Sequence, residues 1–263
     1  MSVGWIVRSS DISDSEGYPR WFSEVHEEFQ RKILDADGFP CHFGVNAERS
    51  DRNWFTACDE TADVAAVLSD SLRLFAAQAG NGPDRQSLIA FIGPPRRTAE
   101  LASEAERFWS ILGEVSRHDD SEWPADRTQD VTEPRWQWCF TGRPWFVIGC
   151  SPAYQARRSR NVGPCLTMVF QLVELVFSDL SGSSAAGKAA KKQIRSRLRR
   201  YDAVGPHPHL GDPEQSSVYK WRQYLLPDDD SVYEPGACPL ASLPGARPGT
   251  VPGTVPGAGA ARK

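Results

Sequence analysis

Residues 87–93 read SLIAFIG and are followed at once by Pro94 and Pro95. So short an apolar run, cut off by two residues that break regular hydrogen bonding, suits a buried central strand better than a helix.

Upstream of that strand, RWFSEVHEEFQRKILD (20–35) repeats apolar residues every three or four positions. Trp21, Phe22, Val25, Phe29 and Ile33 therefore share one helical face, with His26 close to it. TADVAAVLSDSLRLFAAQAG (61–80) does the same through Val64, Val67, Leu68, Leu72 and Phe75, and Gly80 stands where a helix C-cap is expected. Downstream, TAELASEAERFWSILGEVSR (98–117) buries Leu101, Phe108, Leu112 and Val115 and delivers His118 at its C-terminal end. WQWCFTGRPWFVIG (136–149) alternates Trp136, Trp138 and Phe140, turns near Gly142 and resumes at Trp145, the pattern of a hairpin. CLTMVFQLVELVF (165–177) adds a further strand. After a flexible SGSSAAG stretch, GKAAKKQIRSRLRRYD (187–202) carries seven Lys or Arg and only Ile194, Leu198 and Tyr201 for packing, so it forms a solvated helix. This mixture, without a βαβ repeat, predicts a single α+β domain whose antiparallel sheet is packed by helices.

Composition agrees with an ordinary globule. The 263 residues are 40% apolar and 24% charged, with a formal charge of −4. A near-neutral balance gives no general electrostatic reason to bind nucleic acid or membrane, and small-molecule chemistry becomes the better expectation. The six cysteines, Cys41, Cys58, Cys139, Cys150, Cys165 and Cys238, contain no CxxC or CxxCH pattern and are read as reduced thiols. The beginning of the chain lacks the pattern of a signal peptide and no stretch is long enough to span a bilayer, so a cytoplasmic location is expected. Residues 241–263, rich in Pro, Gly and Ala, are expected to be a disordered tail behind a catalytic domain at 1–240.

Four blocks are unusual in residue choice: FPCHFG (39–44), HDDSEWP (118–124), PAYQARRSRNVGP (152–164) and GPHPHLGD (205–212). In this order, with FQ at 170–171, KWRQYLLPDDD at 220–230 and EPGACPL at 234–240, they resemble the YqcI/YcgG family over roughly residues 20–240. The resemblance implies a b-type heme enzyme that hydroxylates a guanidino nitrogen of L-arginine, like members of that family in D-cycloserine and guanitoxin biosynthesis. It implies heme b, dioxygen as co-substrate, and electrons from an external reductase. A homodimer is compatible with it, and no specific nucleic acid or membrane partner is expected.

Such a heme needs an axial ligand, an apolar slot and cations for its propionates. Among the five histidines, His26, His42, His118, His207 and His209, the favoured ligand is His118, followed by Asp119 and Asp120, which can fix its tautomer. Otherwise it is a residue interacting with the helix dipole. His207, stiffened by Pro206 and Pro208, is the alternative, with His209 behind it. His26 reads as a helix histidine and His42 as an outward strand residue. Cys41 and Cys238 stand as thiolate ligands in a cytochrome P450-like arrangement, or as inert buried thiols. Arg157, Arg158 and Arg160 can grip propionates or a substrate carboxylate, or form a solvated basic loop. Trp123, Trp136, Trp138 and Trp145 can wall a macrocycle or simply fill the core. Asp119, Asp120, Glu122 and the run Asp228–Asp230 are candidates for the substrate guanidinium. The rival readings are an N-hydroxylase of another amine, a non-catalytic heme carrier, and an interaction module acting through the basic helix.

Overall fold

The structure, a computed structural model, describes residues 4–12, 17–35, 38–80, 85–96, 98–176, 184–210, 219–234 and 237–241. Most of the expected tail, residues 242–263, and the start of the SGSSAAG stretch lie outside them.

The strand predicted from SLIAFIG is Leu88–Gly93, and all six of its residues are buried. In chain order the strands are β1 (Val7–Arg8), β2 (Trp54–Asp59), β3 (Leu88–Gly93), β4 (Cys139–Phe140), β5 (Arg143–Cys150) and β6 (Leu166–Leu172). They form one sheet of order β1-β2-β3-β6-β5-β4, which puts β3 in the interior and explains why both of its faces are apolar. The fold is α+β, as expected, and four of the five ladders are antiparallel; β2 and β3 run parallel, with Phe55 opposite Ile89 and Ala57 opposite Phe91. A parallel pair needs a crossover, and the helix Val64–Ala79 between the two strands supplies it.

The α-helices are α1 (Phe22–Ile33), α2 (His42–Arg49), α3 (Val64–Ala79), α4 (Leu101–Arg117), α5 (Val173–Val176) and α6 (Ala185–Tyr201). On one face of the sheet, α1 packs Phe22, Val25, Phe29 and Ile33 against Phe55, Ile89 and Phe91. Each of these side chains contributes about 1.5–3 kcal/mol by leaving water. On the other face, α3 and α4 bring Leu68, Leu72, Phe75, Phe108 and Leu112 onto Ala90, Ile92, Val147 and Met168. Asp63 caps α3 by accepting a hydrogen bond from the Ala66 amide at 3.0 Å.

Trp136, Trp138 and Trp145 are fully buried in this second core, and Trp123 stacks on Trp136 from its edge. They fill the interior rather than wall a cleft: Trp138 donates to Ser116 Oγ at 2.7 Å and Trp145 to the Phe140 carbonyl at 2.8 Å. The hairpin is shorter on its first side than the Trp alternation suggests, because Trp136 and Trp138 precede the two-residue β4. Its turn uses Thr141 and Gly142, both at positive φ. The stretch 165–177 is a strand only to Leu172 and then turns into α5. His42 is the first residue of α2, which corrects its reading as a strand residue.

His26 lies 5% exposed beneath the N-terminal segment and shares a polar network with Ser9 and Glu48. Gln30 and Asn53 also donate to the Glu48 carboxylate, so α1, α2 and the start of the chain are tied through one carboxylate. All six cysteines are free. Among the described residues no helix is long and apolar enough to cross a membrane.

Candidate functional site

Three of the four unusual blocks converge at one end of the sheet, where β5 finishes and β6 begins. Arg157 is 2% exposed; its guanidinium donates to the carbonyls of Pro227, Gly205 and Asp229 and to the Asp230 carboxylate, each at 2.7–2.9 Å. Asp228 accepts from the amides of Gln155, Ala156 and Arg157. The arginine block, the histidine block and the PDDD run are thus one hydrogen-bonded unit. Arg160 donates to the carbonyls of Gly149, Tyr224 and Gln223, and Ser159 is held by Asp202.

The FPCHFG block joins this unit through Tyr201. Phe39 meets the Tyr201 ring edge-on at 5.8 Å, and the Arg158 guanidinium sits 4.8 Å from the centre of the same ring. A cleft of about 240 Å³ lined by Gly38, Arg197, Arg200 and Tyr201 opens beside it. Cys41, the residue before α2, is within electrostatic reach of Arg160 and Arg197. Burial raises its thiol, while the Gly44 and Phe43 amides of the first helical turn and the two arginines oppose that rise. His42 lies next to it with its ring 4.0 Å from that of Phe43. Its Nδ1 is buried and has no hydrogen-bond partner among the described residues. Burial, Arg197 and Arg85 all hold it below the ordinary histidine range, so the neutral imidazole with a lone pair is favoured. Asp35 lines a second, open groove of about 460 Å³ with Glu27, Gln30, Arg31 and Leu34, and its charge reaches Tyr201.

The fourth block is at the opposite end of β5. His118 caps the end of α4 and is exposed; its carbonyl accepts a hydrogen bond from Arg73. The Asp119 carboxylate accepts from the amides of Thr141 and Ser121, while Asp120 and Glu122 are exposed. Thr141 lies two residues before the start of β5 and Arg160 binds near its end, so about 23 Å of strand separates the groups. The structure therefore does not bring His118, Asp119, Asp120 and Glu122 together with Arg157, Arg158 and Arg160.

His207 does lie beside Arg157. Its Nε2 donates to the Ser231 carbonyl at 2.9 Å and its Nδ1 accepts from the His209 amide at 3.0 Å, so both ring nitrogens are engaged. His209 Nε2 accepts from the Tyr233 amide, and burial lowers its pKa to about 4. Cys238 is buried in the second core. Sequence reasoning passed over the nearness of Arg197, Arg200 and Tyr201 to Cys41 and His42; only the density of arginine at the end of the basic helix hinted at it.

Among the described residues no cluster of three or more His, Cys, Asp or Glu is arranged to hold a bare metal ion. No solved structure matches the chain. YcgG of Bacillus subtilis (strain 168) is 34% identical over 87% of this chain and 91% of its own length. YqcI of the same organism is 31% identical over 90% and 95%. A Streptomyces lavendulae protein bearing the name "Putative N(omega)-hydroxy-L-arginine synthase DcsA" is 28% identical over 80% of each chain. The YqcI/YcgG family model matches residues 29–241, and with two relatives above 30% identity along nearly their whole lengths, the chain belongs to the YqcI/YcgG family.

Proposed function

We propose that this protein is an N-hydroxylase acting on a guanidino nitrogen of L-arginine with heme b and dioxygen. The observation that carries the reading is the similarity, over four fifths of both chains, to the relative named as an N(omega)-hydroxy-L-arginine synthase.

The residues around FPCHFG fit such a cofactor by their chemistry. They combine a thiol at a helix start, an imidazole nitrogen that is buried and unpartnered, and a cleft with two arginines. Bound heme would supply activation of dioxygen. Cys41 would then be the thiol candidate for holding the iron: burial raises its pKa, and the Phe43 and Gly44 amides with Arg160 and Arg197 offset part of that rise. His42 offers the alternative nitrogen. Arg197 and Arg200 would hold carboxylates with their planar forks, and Tyr201, its ring backed by Phe39, would offer an apolar surface beside them. Asp35, whose charge reaches Tyr201, is the carboxylate candidate for the substrate guanidinium. His118 retains an exposed imidazole with no such surroundings, and His207 would have to give up a hydrogen bond to take part.

The test is an absorption spectrum of protein produced with heme supply, compared with Cys41→Ser, His42→Ala and His118→Ala, and followed by arginine titration and mass analysis of the product. A Soret band displaced by Cys41→Ser, perturbed by arginine and accompanied by hydroxyarginine supports the reading. Absence of any Soret band sinks the heme; a band indifferent to arginine sinks the substrate.

A further inference from the structure

Helix α6 breaks a local rule. Its seventeen residues, AAGKAAKKQIRSRLRRY, hold seven Lys or Arg and no acid. Like charges three and four residues apart destabilise a helix by a few tenths of a kcal/mol per pair. Little on the body rewards the arrangement: of the larger apolar side chains in α6 only Leu198 is buried. A sequence that keeps unfavourable local charges on an exposed face signals a use for them.

The charges are also segregated. With the seven of α6 set aside, 23 Lys and Arg remain in the chain against 34 Asp and Glu, a net −11, so a positive helix lies on an acidic body. At 100° per residue, Lys188, Lys192 and Arg199 fall on one stripe and all three are exposed. Among the described residues Lys192 and Arg199 form no ion pair. Arg197 and Arg200, further round the helix, line the cleft beside Cys41 and His42.

We infer that the Lys188–Lys192–Arg199 stripe of α6 docks a small acidic one-electron carrier protein. From Lys188 to Arg199 the stripe runs about 16 Å along the helix, enough for one compact acidic patch. A nucleic acid would extend beyond it onto the acidic body and finds no exposed aromatic on α6 to stack against. A membrane finds no large apolar side chain on the exposed stripe to insert, only alanine. The identity of the partner rests on the proposed hydroxylation. One oxygen atom enters the new N–O bond in place of an N–H bond, the other leaves as water once the O–O bond breaks, and two electrons with two protons complete the balance. A carrier seated on α6 stands about one helix diameter, 10 Å, from the cleft. Charge complementarity of this kind acts mainly on association rate and is screened by salt.

The experiment titrates the full chain with an acidic plant-type [2Fe–2S] ferredoxin at low and high salt, beside the double variant Lys192→Glu/Arg199→Glu. The charge-retaining Lys192→Arg/Arg199→Lys variant and a thermal melt control for folding. Expected are salt-sensitive binding, its weakening by about tenfold or more in the reversal variant, and its retention in the charge-retaining one. Ferredoxin-driven reduction of the pigment should slow with binding, while reduction by dithionite stays unchanged. Equal binding by wild type and reversal variant overturns the inference. So does tighter α6-dependent binding of single-stranded DNA or anionic vesicles than of ferredoxin. Should the protein carry no heme, the binding titration still decides the docking surface while the hydroxylase reading falls separately.

Discussion

Arg157 gathers acceptors from two separate segments, Gly205 and Pro227–Asp230, around one guanidinium that water barely reaches. Lysine brings the charge but not the planar fork, and at most one or two of those acceptors would keep a donor. Arg157→Lys should therefore lower stability by about 2–4 kcal/mol, read as a shifted urea midpoint at unchanged slope. A variant of wild-type stability would mean that the acceptors find water instead. Asp230, the charged partner, is largely exposed, so Asp230→Asn should cost below about 1 kcal/mol by the same measurement. The sequence marked these arginines as candidates for propionates; the structure uses Arg157 and Arg160 on backbone carbonyls, a role that depends on distant segments and leaves no local signature. Cys41 and His42 were visible as letters, but α2 is eight residues long and follows FPC without a capping side chain, so nothing in the pattern announced a helix start.

Among elements, α1, α3, α4, α6 and β3 were legible, because each carries its own periodicity or its own stop signals. β2 was not: WFTACD is buried on both sides next to β3 and shows no alternation to read. Its parallel pairing with β3 was equally hidden, since a parallel ladder is a fact about the crossover and not about either strand. The junction of α1 with this pair also turns on Gly93. A Cβ there would strike the Trp21 ring, which is kept in place by a hydrogen bond from Nε1 to Asp59 at 3.2 Å. A rigid ring cannot move aside as a flexible side chain can, so Gly93→Ala should destabilise by about 1–3 kcal/mol. Pairing it with Trp21→Ala should recover part of that loss in a double-mutant cycle; strict additivity of the two effects would show that the ring is not the obstacle.

For the whole molecule, three histidines packed at interfaces, together with His42, make stability depend on pH. His26, His207 and His209 are all held below the ordinary value of 6.5 by burial, and His209 falls to about 4. The unfolded chain takes up protons at higher pH than the folded one, so these groups leave stability intact above about 6.5. They withdraw it as pH falls from about 6.5 toward about 4. Urea midpoints measured across that window should fall with pH, and His209→Gln should flatten the fall. An unchanged slope in that variant would place the proton uptake elsewhere.

The sheet order β1-β2-β3-β6-β5-β4 joins the first three strands to the last three through a single seam, β3 against β6. On the ribosome, LIAFIG at 88–93 emerges long before LTMVFQL at 166–172 can cover its free edge. At 5–20 residues per second that interval is roughly 4–15 s. Throughout it, an uncharged apolar edge strand is open to any other nascent chain, the condition under which strands pair with the wrong partner. Yield in a host should therefore depend less on the stability of the finished protein than on how well newly made chains are shielded by chaperones during those seconds.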